Sequence, residues 1–382
     1  MRKWISVVSI LLCLAFLTGY KLPEMIRMVA GGVGGTQYML GTALTPTLEK
    51  YLGSKVRVMP MEVIRERFVV FRMGKAELGC VSFANFEMSI TGTEQFAGEG
   101  DGPQQMRMMW YLFDVPFGYI VRGNSDIKTF ADVKGKRVAW PVFSPTMQAG
   151  VLAMLEIAGL TKNDVTLVPL GNIGALYRSV GEGKSDISYC ALTSSATYET
   201  EAMPHGLRVL GIPIKDKRAW EIFLQYSPIA IPAVLGAEGI ASSKGIEGPV
   251  SPYGLAAHAS IPDDLVYQVM KVMWERYDEY KGAHRYLQYG TPQAQREWLG
   301  INPLPCHPGA IKLLKEKGVW TAEDTKNNDQ ALALTKKWEE TWAAAVKKAK
   351  DQKIKIATTN KEWMELWEKE QSKVERFKIR LK

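Results

Sequence analysis

Along most of the chain, short runs of consecutive apolar side chains alternate with longer stretches in which apolar positions recur every three or four residues. The short runs, at 26–30, 56–59, 78–83, 118–121, 137–140, 166–169, 187–191 and 208–211, read as buried strands, and the stretches between them, notably 37–52, 62–73, 147–158 and 175–182, read as helices. This alternation predicts an α/β protein with mainly parallel sheets. Beyond residue 320 the pattern changes. Leu334, Trp338, Trp342 and Val346, then Trp363, Trp367, Val374, Phe377 and Leu381, follow helical spacing with lysine and glutamate on the other faces. Two amphipathic helices joined near 353–360 are expected there.

The α/β pattern occurs twice. Val29-Ala30-x-x-Val33-x-x-Thr36 is echoed by Val138-Ala139-x-x-Val142-x-x-x-Thr146, and a long helical stretch follows each threonine. Gly74-Lys75-Ala76-Glu77 leads into the strand holding Cys80, and Gly183-Lys184-Ser185-Asp186 leads into the strand holding Cys190. The spacing from Thr36 to Gly74 nearly equals that from Thr146 to Gly183. Two similar units enclosing a cleft are therefore expected, rather than one large sheet.

At 382 residues, of which 46% are hydrophobic and 23% charged, the chain has apolar material for two cores and too little low-complexity sequence for general disorder. The formal charge of +8 arises from 48 basic and 40 acidic residues that interleave until the C-terminus, so no nucleic-acid-binding stripe is indicated. Arg2 and Lys3 precede an apolar run at 5–17 and a polar turn at Thr18-Gly19-Tyr20, the layout of a secretory signal over 1–19. The run is shorter than the roughly twenty residues of a membrane span. Cleavage after Gly19 and retention as an N-terminal anchor both stay open. Cys80, Cys190 and Cys306 then remain, an odd number without a CxxC pair, so neither a disulfide framework nor a zinc knuckle is expected. On apolar strands a free cysteine behaves as a small hydrophobe.

Candidate chemistry lies in the loops 31–36 and 140–146. A strand that ends in turn-forming residues and opens into a helix aims backbone N–H groups and the positive end of the helix dipole at one spot, where an anion can sit. Gly31-Gly32-Val33-Gly34-Gly35-Thr36 allows close backbone approach and is equally readable as a tight turn with a helix cap. A dinucleotide fingerprint fails because the third glycine of GxGxxG would fall at Gln37, and a P-loop fails because Thr36-Gln37 stands where Lys-Ser/Thr is needed. There is no GxSxG and no HExxH, and His205, His258, His284 and His307 form no i,i+4 pair. No catalytic residue, metal ligand or cofactor is assigned. Arg65 is placed either to clamp a carboxylate bidentately or to sit solvated on its helix.

The segment Val29-Ala30-Gly31-Gly32-Val33-Gly34-Gly35-Thr36-Gln37-Tyr38-x-x-Gly41 resembles the opening motif of the TAXI solute-binding proteins, extracytoplasmic receptors of one class of TRAP transporters. Gly74-Lys75-Ala76-Glu77-Leu78-Gly79, Lys134-Gly135-Lys136-Arg137-Val138 and His307-Pro308-Gly309-Ala310 are similar to later motifs of that family, in order, over roughly 26–320. The resemblance implies a two-lobed periplasmic-binding-protein fold of the type II kind, with two hinge crossings near 119–123 and 252–258, and here a C-terminal helical extension. The implied organisation is 20–121 for the first part of lobe I, 122–252 for lobe II, 253–320 for the return to lobe I and 321–382 for the extension. It implies no cofactor and no enzymatic activity.

Carried over position by position, Gly34, Gly35, Thr36 and Tyr38 would line the first-lobe side of the ligand site, with Ser82 and Asn85 beside them. Ser144, Thr146, Thr193 and Ser194 would answer from the second lobe. Trp140, like Trp110 and Tyr111, stands where an aromatic wall or ordinary core packing is expected. Ser82-Phe83-Ala84 replaces a Gln-Ser-Asp-like triplet and Ser144-Pro145-Thr146 a Gly-Ser-Gly-Thr loop, which favours a simple mono- or dicarboxylate over an amino acid. The implied role is a periplasmic receptor that captures a small organic acid and delivers it to the membrane subunits of a TRAP permease. An enzyme on the same scaffold, or a scaffold protein acting through its tryptophan-rich tail, is the alternative. The tail has fifteen basic against eleven acidic residues. It is expected to pack on lobe I, to form a homodimer or to touch a permease or an anionic membrane surface.

Overall fold

A computed structural model describes residues 20–236 and 238–380, so the signal-like segment 1–19 and Leu381 lie outside the described residues. The chain opens with β1 (Met25–Ala30), α1 (Thr36–Leu52), β2 (Lys55–Pro60), α2 (Ile64–Arg72), β3 (Leu78–Ser82), α3 (Phe83–Thr91) and the long β4 (Met106–Arg122). The same order then recurs as β5 (Arg137–Pro141), α4 (Pro145–Ile157), β6 (Thr166–Leu170), α5 (Ile173–Gly181), β7 (Ile187–Ala191) and α6 (Ser195–Glu201). It continues through β8 (Leu207–Leu210), α7 (Lys217–Tyr226), β9 (Ile231–Val234) and β10 (Glu247–His258). Helices α8 (Asp263–Glu275), α9 (Tyr277–Tyr280), α10 (Pro292–Ile301), α11 (Pro308–Glu316), α12 (Ala322–Asp351) and α13 (Lys361–Gln371) complete it.

The expected duplication is visible in the pairing. Strands β2, β1 and β3 lie parallel in that order, as do β6, β5 and β7. The recurring Gly-Lys-x-acid turn is a structural clamp in both halves. The main-chain N–H and the guanidinium of Arg27 on β1 both donate to Glu77, and an Arg27 N–H reaches the Gly74 carbonyl. Arg137 on β5 binds Asp186 and the Gly183 carbonyl in the same way. Each clamp fixes the end of a central strand against the turn that feeds its neighbour.

The two units are joined by strands that belong to both. Residues 106–116 of β4 pair antiparallel with β10 and so join the first sheet, whereas 117–122 pair with β7 and β8 of the second. β10 pairs with β3 and β4 from Val250 onward and with β9 before it. These exchanges, at Pro116/Phe117 and at Val250, are where we propose that the lobes divide, close to the boundaries implied at 121/122 and 252/253. Proline supplies no ladder donor, and Pro116, Pro249 and Pro252 flank both exchanges. Both strands are antiparallel to their neighbours, so the sheets are mixed rather than mainly parallel. Neither the first half of β4 nor β10 was expected. An unbroken apolar run is ambiguous between helix and strand, and the proline- and glycine-rich β10 lacks a strand signature.

The C-terminal hairpin belongs to lobe I. Trp338, Trp363 and Trp367 are fully buried, and Trp342 meets Trp363 and Trp367 edge-on at 5.3 and 4.9 Å. The indoles of Trp363 and Trp367 donate to the carbonyls of Ala97 and Gly92 in lobe I. The three buried indoles at roughly 150–250 Å² each correspond to roughly 11–19 kcal/mol of gross burial before the entropy cost of ordering the tail. The tryptophan face thereby packs within the chain. The second helix ends at Gln371 instead of running toward 381, because tertiary partners take over the backbone: Glu375 accepts from Trp338, and Ile379 and Arg380 donate to Pro228 and Ile301. Val374 and Phe377 are buried in this extended segment. Arg376 within it clasps Glu87 of α3 through Nε and Nη2 at 2.6 and 2.5 Å.

Cys80, Cys190 and Cys306 are buried and unpaired, and burial pushes the Cys80 and Cys306 thiols up to about 12. His307 caps α11, its Nδ1 accepting from the Gly309 N–H. Burial lowers its pKa to about 4.

Two outcomes follow. Arg376→Ala strands a carboxylate that is 1% exposed and should cost about 3–5 kcal/mol in urea unfolding, whereas Arg376→Met with Glu87→Met should cost much less. His307 takes up a proton in the unfolded chain near pH 6.5 but in the folded chain only near pH 4, so it withdraws stability as pH falls through that window, on the order of 3 kcal/mol in all. Asp114, raised to about 6 by burial, acts in the opposite sense between pH 4 and 6. His307→Asn keeps a cap acceptor without titrating. The difference in melting temperature between this variant and the wild type should therefore shift in the variant's favour from pH 7 to pH 4.5.

Candidate functional site

A cleft of about 690 Å³, measured out to its open mouth, lies where β4 and β10 exchange partners. Its floor includes Phe117, immediately beyond the exchange on β4, and Ser251 and Tyr253 on β10. Helix starts converge on it from both sides. From lobe I come the first residues of α1 at Gly35 and Thr36, and those of α3 at Ser82, Ala84 and Asn85; from lobe II come Ser144 and Thr146 at the start of α4 and Ile173 of α5. Parallel strands followed directly by helices place these ends together, because every such connection leaves the sheet on the same edge. Gly35 and Ser82 stand at the N-caps of α1 and α3 without capping them through a side chain. The first backbone N–H groups of a helix have no partner within it. At α4, by contrast, Ser144 accepts from Met147.

Of the residues implied by the family resemblance, Gly35, Thr36, Ser82, Asn85, Ser144, Thr146 and Ser194 line this one cleft. Gly34 and Thr193 do not line it but make contacts between the lobes beside Thr36 and Ser194, which do. Thr36 and Thr193 share a hydroxyl hydrogen bond of 2.9 Å, and Ser194 and Ser195 both donate to the Gly34 carbonyl at 3.1 Å. Gly34 has φ +83°, a left-handed conformation that suits glycine and turns this carbonyl to the opposite lobe. Tyr38 is half-buried against the lobe I core. Trp140 lies on β5 beneath the Lys162 ammonium, 5.0 Å from the ring centroid, and does not line the cleft. Trp110 is buried edge-on to Trp274, and Tyr111 stacks on Trp298, so both serve packing.

The residue that reading the sequence missed is Arg67. Arg65 binds Asp101 away from the cleft, while Arg67, two positions on, is buried and lines it. Ile64, Arg67, Phe68 and Phe71 are all buried at i, i+3, i+4 and i+7. That spacing put Arg67 on the apolar face and was the available signal. Its guanidinium donates from Nε to the Met61 carbonyl at 2.6 Å, from Nη1 to Gln37 Oε1 at 2.8 Å and from Nη2 to the Glu62 carbonyl at 2.9 Å. These bonds leave one N–H on each terminal nitrogen. Burial lowers its pKa to about 10, so the group stays charged at neutral pH. Glu62 acts on it only through space; among the described residues no carboxylate forms an ion pair with it.

Arg67 is the one charged side chain among the described residues lining the cleft. The rest of the wall is hydroxyl, amide and apolar. Tyr177, Tyr189 and Tyr253 have pKa values raised by burial and remain neutral. The Tyr177 oxygen accepts from the Ala191 N–H, which leaves its own proton to donate. Asn85, 5% exposed, has a buried Oδ1 with no partner. Among the described residues no cluster of three or more His, Cys, Asp or Glu is placed to hold a metal ion. No described helix is long and apolar enough to cross a membrane. The site offers fixed positive potential and hydrogen bonding to a small solute enclosed by two lobes.

The architecture is thus the two-lobed periplasmic-binding-protein fold, with mixed sheets and two crossing strands. Residues 28–318 match the NMT1-like family, and the chain belongs to it. Among solved structures, the periplasmic aliphatic sulphonate binding protein SsuA of Escherichia coli is similar at 19% identity over 85% of this chain and 88% of that one, with a TM-score of 0.42. An ancestral arginine-binding protein bound to arginine is similar at 15% identity over 70% and 98%, with a TM-score of 0.45. PhnD1 of Prochlorococcus marinus in complex with methylphosphonate is similar at 11% identity over 70% and 91%, with a TM-score of 0.45.

These cross-lobe contacts at Gly34 and Thr193 hold the lobes together in this conformation. Thr193→Val combined with Ser195→Ala removes two of the cross-lobe hydrogen bonds named above, each worth about 1 kcal/mol. The ligand-free variant should show a larger radius of gyration than the wild type by small-angle scattering. An unchanged radius would mean that these contacts do not control closure.

Proposed function

We propose that the chain is a periplasmic solute receptor that captures a small organic acid between its lobes and passes it to a membrane permease. The observation that carries this reading is Arg67: a buried guanidinium with two N–H groups left over and, among the described residues, no ion-pair partner, facing a cleft ringed by helix starts. Leaving a charge buried and unpaired is costly, and a bound anion offsets that cost. Binding that bridges both lobes favours the closed state by its differential affinity for that state.

A carboxylate head is the finer proposal, resting on the fork geometry of the guanidinium and on the ordered motifs that resemble the TAXI receptors. The same motifs support a TRAP permease as the partner, and the signal-like segment 1–19 supports the periplasm as the location. A sulfonate or phosphonate head meets the same donors and belongs in the test.

The test is calorimetry and thermal shift on protein freed of retained solute by unfolding and refolding. The panel contains mono- and dicarboxylates, sulfonates, phosphonates and amino acids. One class of acids should bind at 1:1 without being consumed, raising stability by about 2.7 kcal/mol at one hundred times its dissociation constant. Arg67→Gln should weaken that binding by about 10- to 150-fold, the worth of a charged hydrogen bond. Turnover of the ligand would favour an enzyme, and a flat panel would overturn the receptor.

A further inference from the structure

The two sides of the cleft differ in chemistry. Lobe I contributes Arg67, Gln37 and Asn85 beside the apolar Ile64 and Tyr253, whereas lobe II contributes the larger apolar share, with Phe117, Phe143, Met147, Ile173 and Tyr189 beside the hydroxyls of Ser144, Thr146 and Ser194. Phe117 and Tyr189 are stacked, with centroids 5.3 Å apart and planes 26° apart, and form a continuous aromatic surface. We infer that the solute is a monoanion with an aromatic or branched apolar body and a hydrogen-bond donor beside its charged group. This inference rests on the receptor reading above.

Each part of the description has its own ground. Among the described residues one cation lines the cleft, so a second carboxylate would be buried against the lobe II wall without a partner, which is costly. No carboxylate among the described residues lines it, so the ammonium of an amino acid would be equally unmatched. The aromatic wall rewards an apolar body by removing its surface from water. Asn85 has a buried Oδ1 with no partner, and a buried acceptor of this kind is satisfied by a donor on the solute. Sites built this way reject analogues that lack the donor more strongly than pockets reject a missing methylene.

The discriminating experiment is calorimetry with phenyllactate, 3-phenylpropanoate, malate and phenylalanine on the refolded wild-type chain. Phenyllactate should bind tightest, and 3-phenylpropanoate, which lacks only the hydroxyl, about tenfold or more weaker. Malate and phenylalanine should be weaker by about a hundredfold or more. Asn85→Ala should erase the difference between the two phenyl acids, and Phe143→Ala should weaken both of them together. If either variant fails to fold, the four-ligand order on the wild type still decides. Malate or phenylalanine binding more tightly than the phenyl acids overturns the inference and leaves the receptor standing. Equal affinity for phenyllactate and 3-phenylpropanoate overturns the donor assignment. Binding by none of the four, with succinate, a sulfonate and a phosphonate also silent, brings down the receptor reading and the inference together.

Discussion

Two strands, β4 and β10, belong to both sheets, and the rest of the molecule is arranged around that constraint. Each runs antiparallel beside a parallel trio and then changes partner, β4 after Pro116 and β10 at Val250. A strand cannot pair fully with two sheets at one point, so the exchange opens a cleft on one side. The clamps of Arg27 on Glu77 and Arg137 on Asp186 hold the central strands of the two trios in equivalent positions. Because each trio sends its helices off the same edge, the helix starts meet across the cleft. A site forms there as a consequence of topology, before any side chain is chosen.

Side-chain choice then gives the site its sign and its asymmetry. The free N–H groups at the helix starts supply a diffuse positive potential, and Arg67 concentrates it. The protein solvates this guanidinium with two main-chain carbonyls and one amide oxygen instead of a carboxylate. Full neutralisation by an internal partner would cancel the attraction for an anionic solute. In the same cleft, the stacked rings of Phe117 and Tyr189 add an aromatic surface to the wall. The lobes meet through Gly34, Thr36, Thr193, Ser194 and Ser195, so closure is built from the same loops that frame the site.

The C-terminal hairpin reaches the site indirectly. Its tryptophans anchor to the loop after α3, and Arg376 holds Glu87 within α3, two residues beyond Asn85. The following residues cross to the other lobe, where Ile379 donates to Pro228, next to Ser227 of the cleft wall. The tail therefore braces the helix that carries Asn85 and touches both lobes. Its amphipathic pattern, legible as a free face when only the sequence is read, is satisfied within the chain.

The sequence by itself determined the units: eight short strands, their intervening helices, the internal repeat, and the loops that carry Thr36 and Thr146. These are local properties, since periodicity and turn chemistry act over a few residues. It also placed Gly35, Thr36, Ser82, Asn85, Ser144, Thr146 and Ser194 in loops that now share one cleft. Tertiary structure decided what depends on distant partners. The chain's longest strand and β10 exist because they complete sheets made by other segments, and their own composition is ambiguous or unfavourable. The division of labour between Arg65 and Arg67 was decided by a rotation of two positions around α2, which turns one guanidinium to Asp101 and the other to the cleft. The end of α13 at Gln371 was decided by hydrogen bonds to residues far away in sequence. Local pattern fixes which elements form. The burial of a charge, the exchange of a strand's partners and the covering of an apolar face are free energies of assembly, and they exist only once the segments have met.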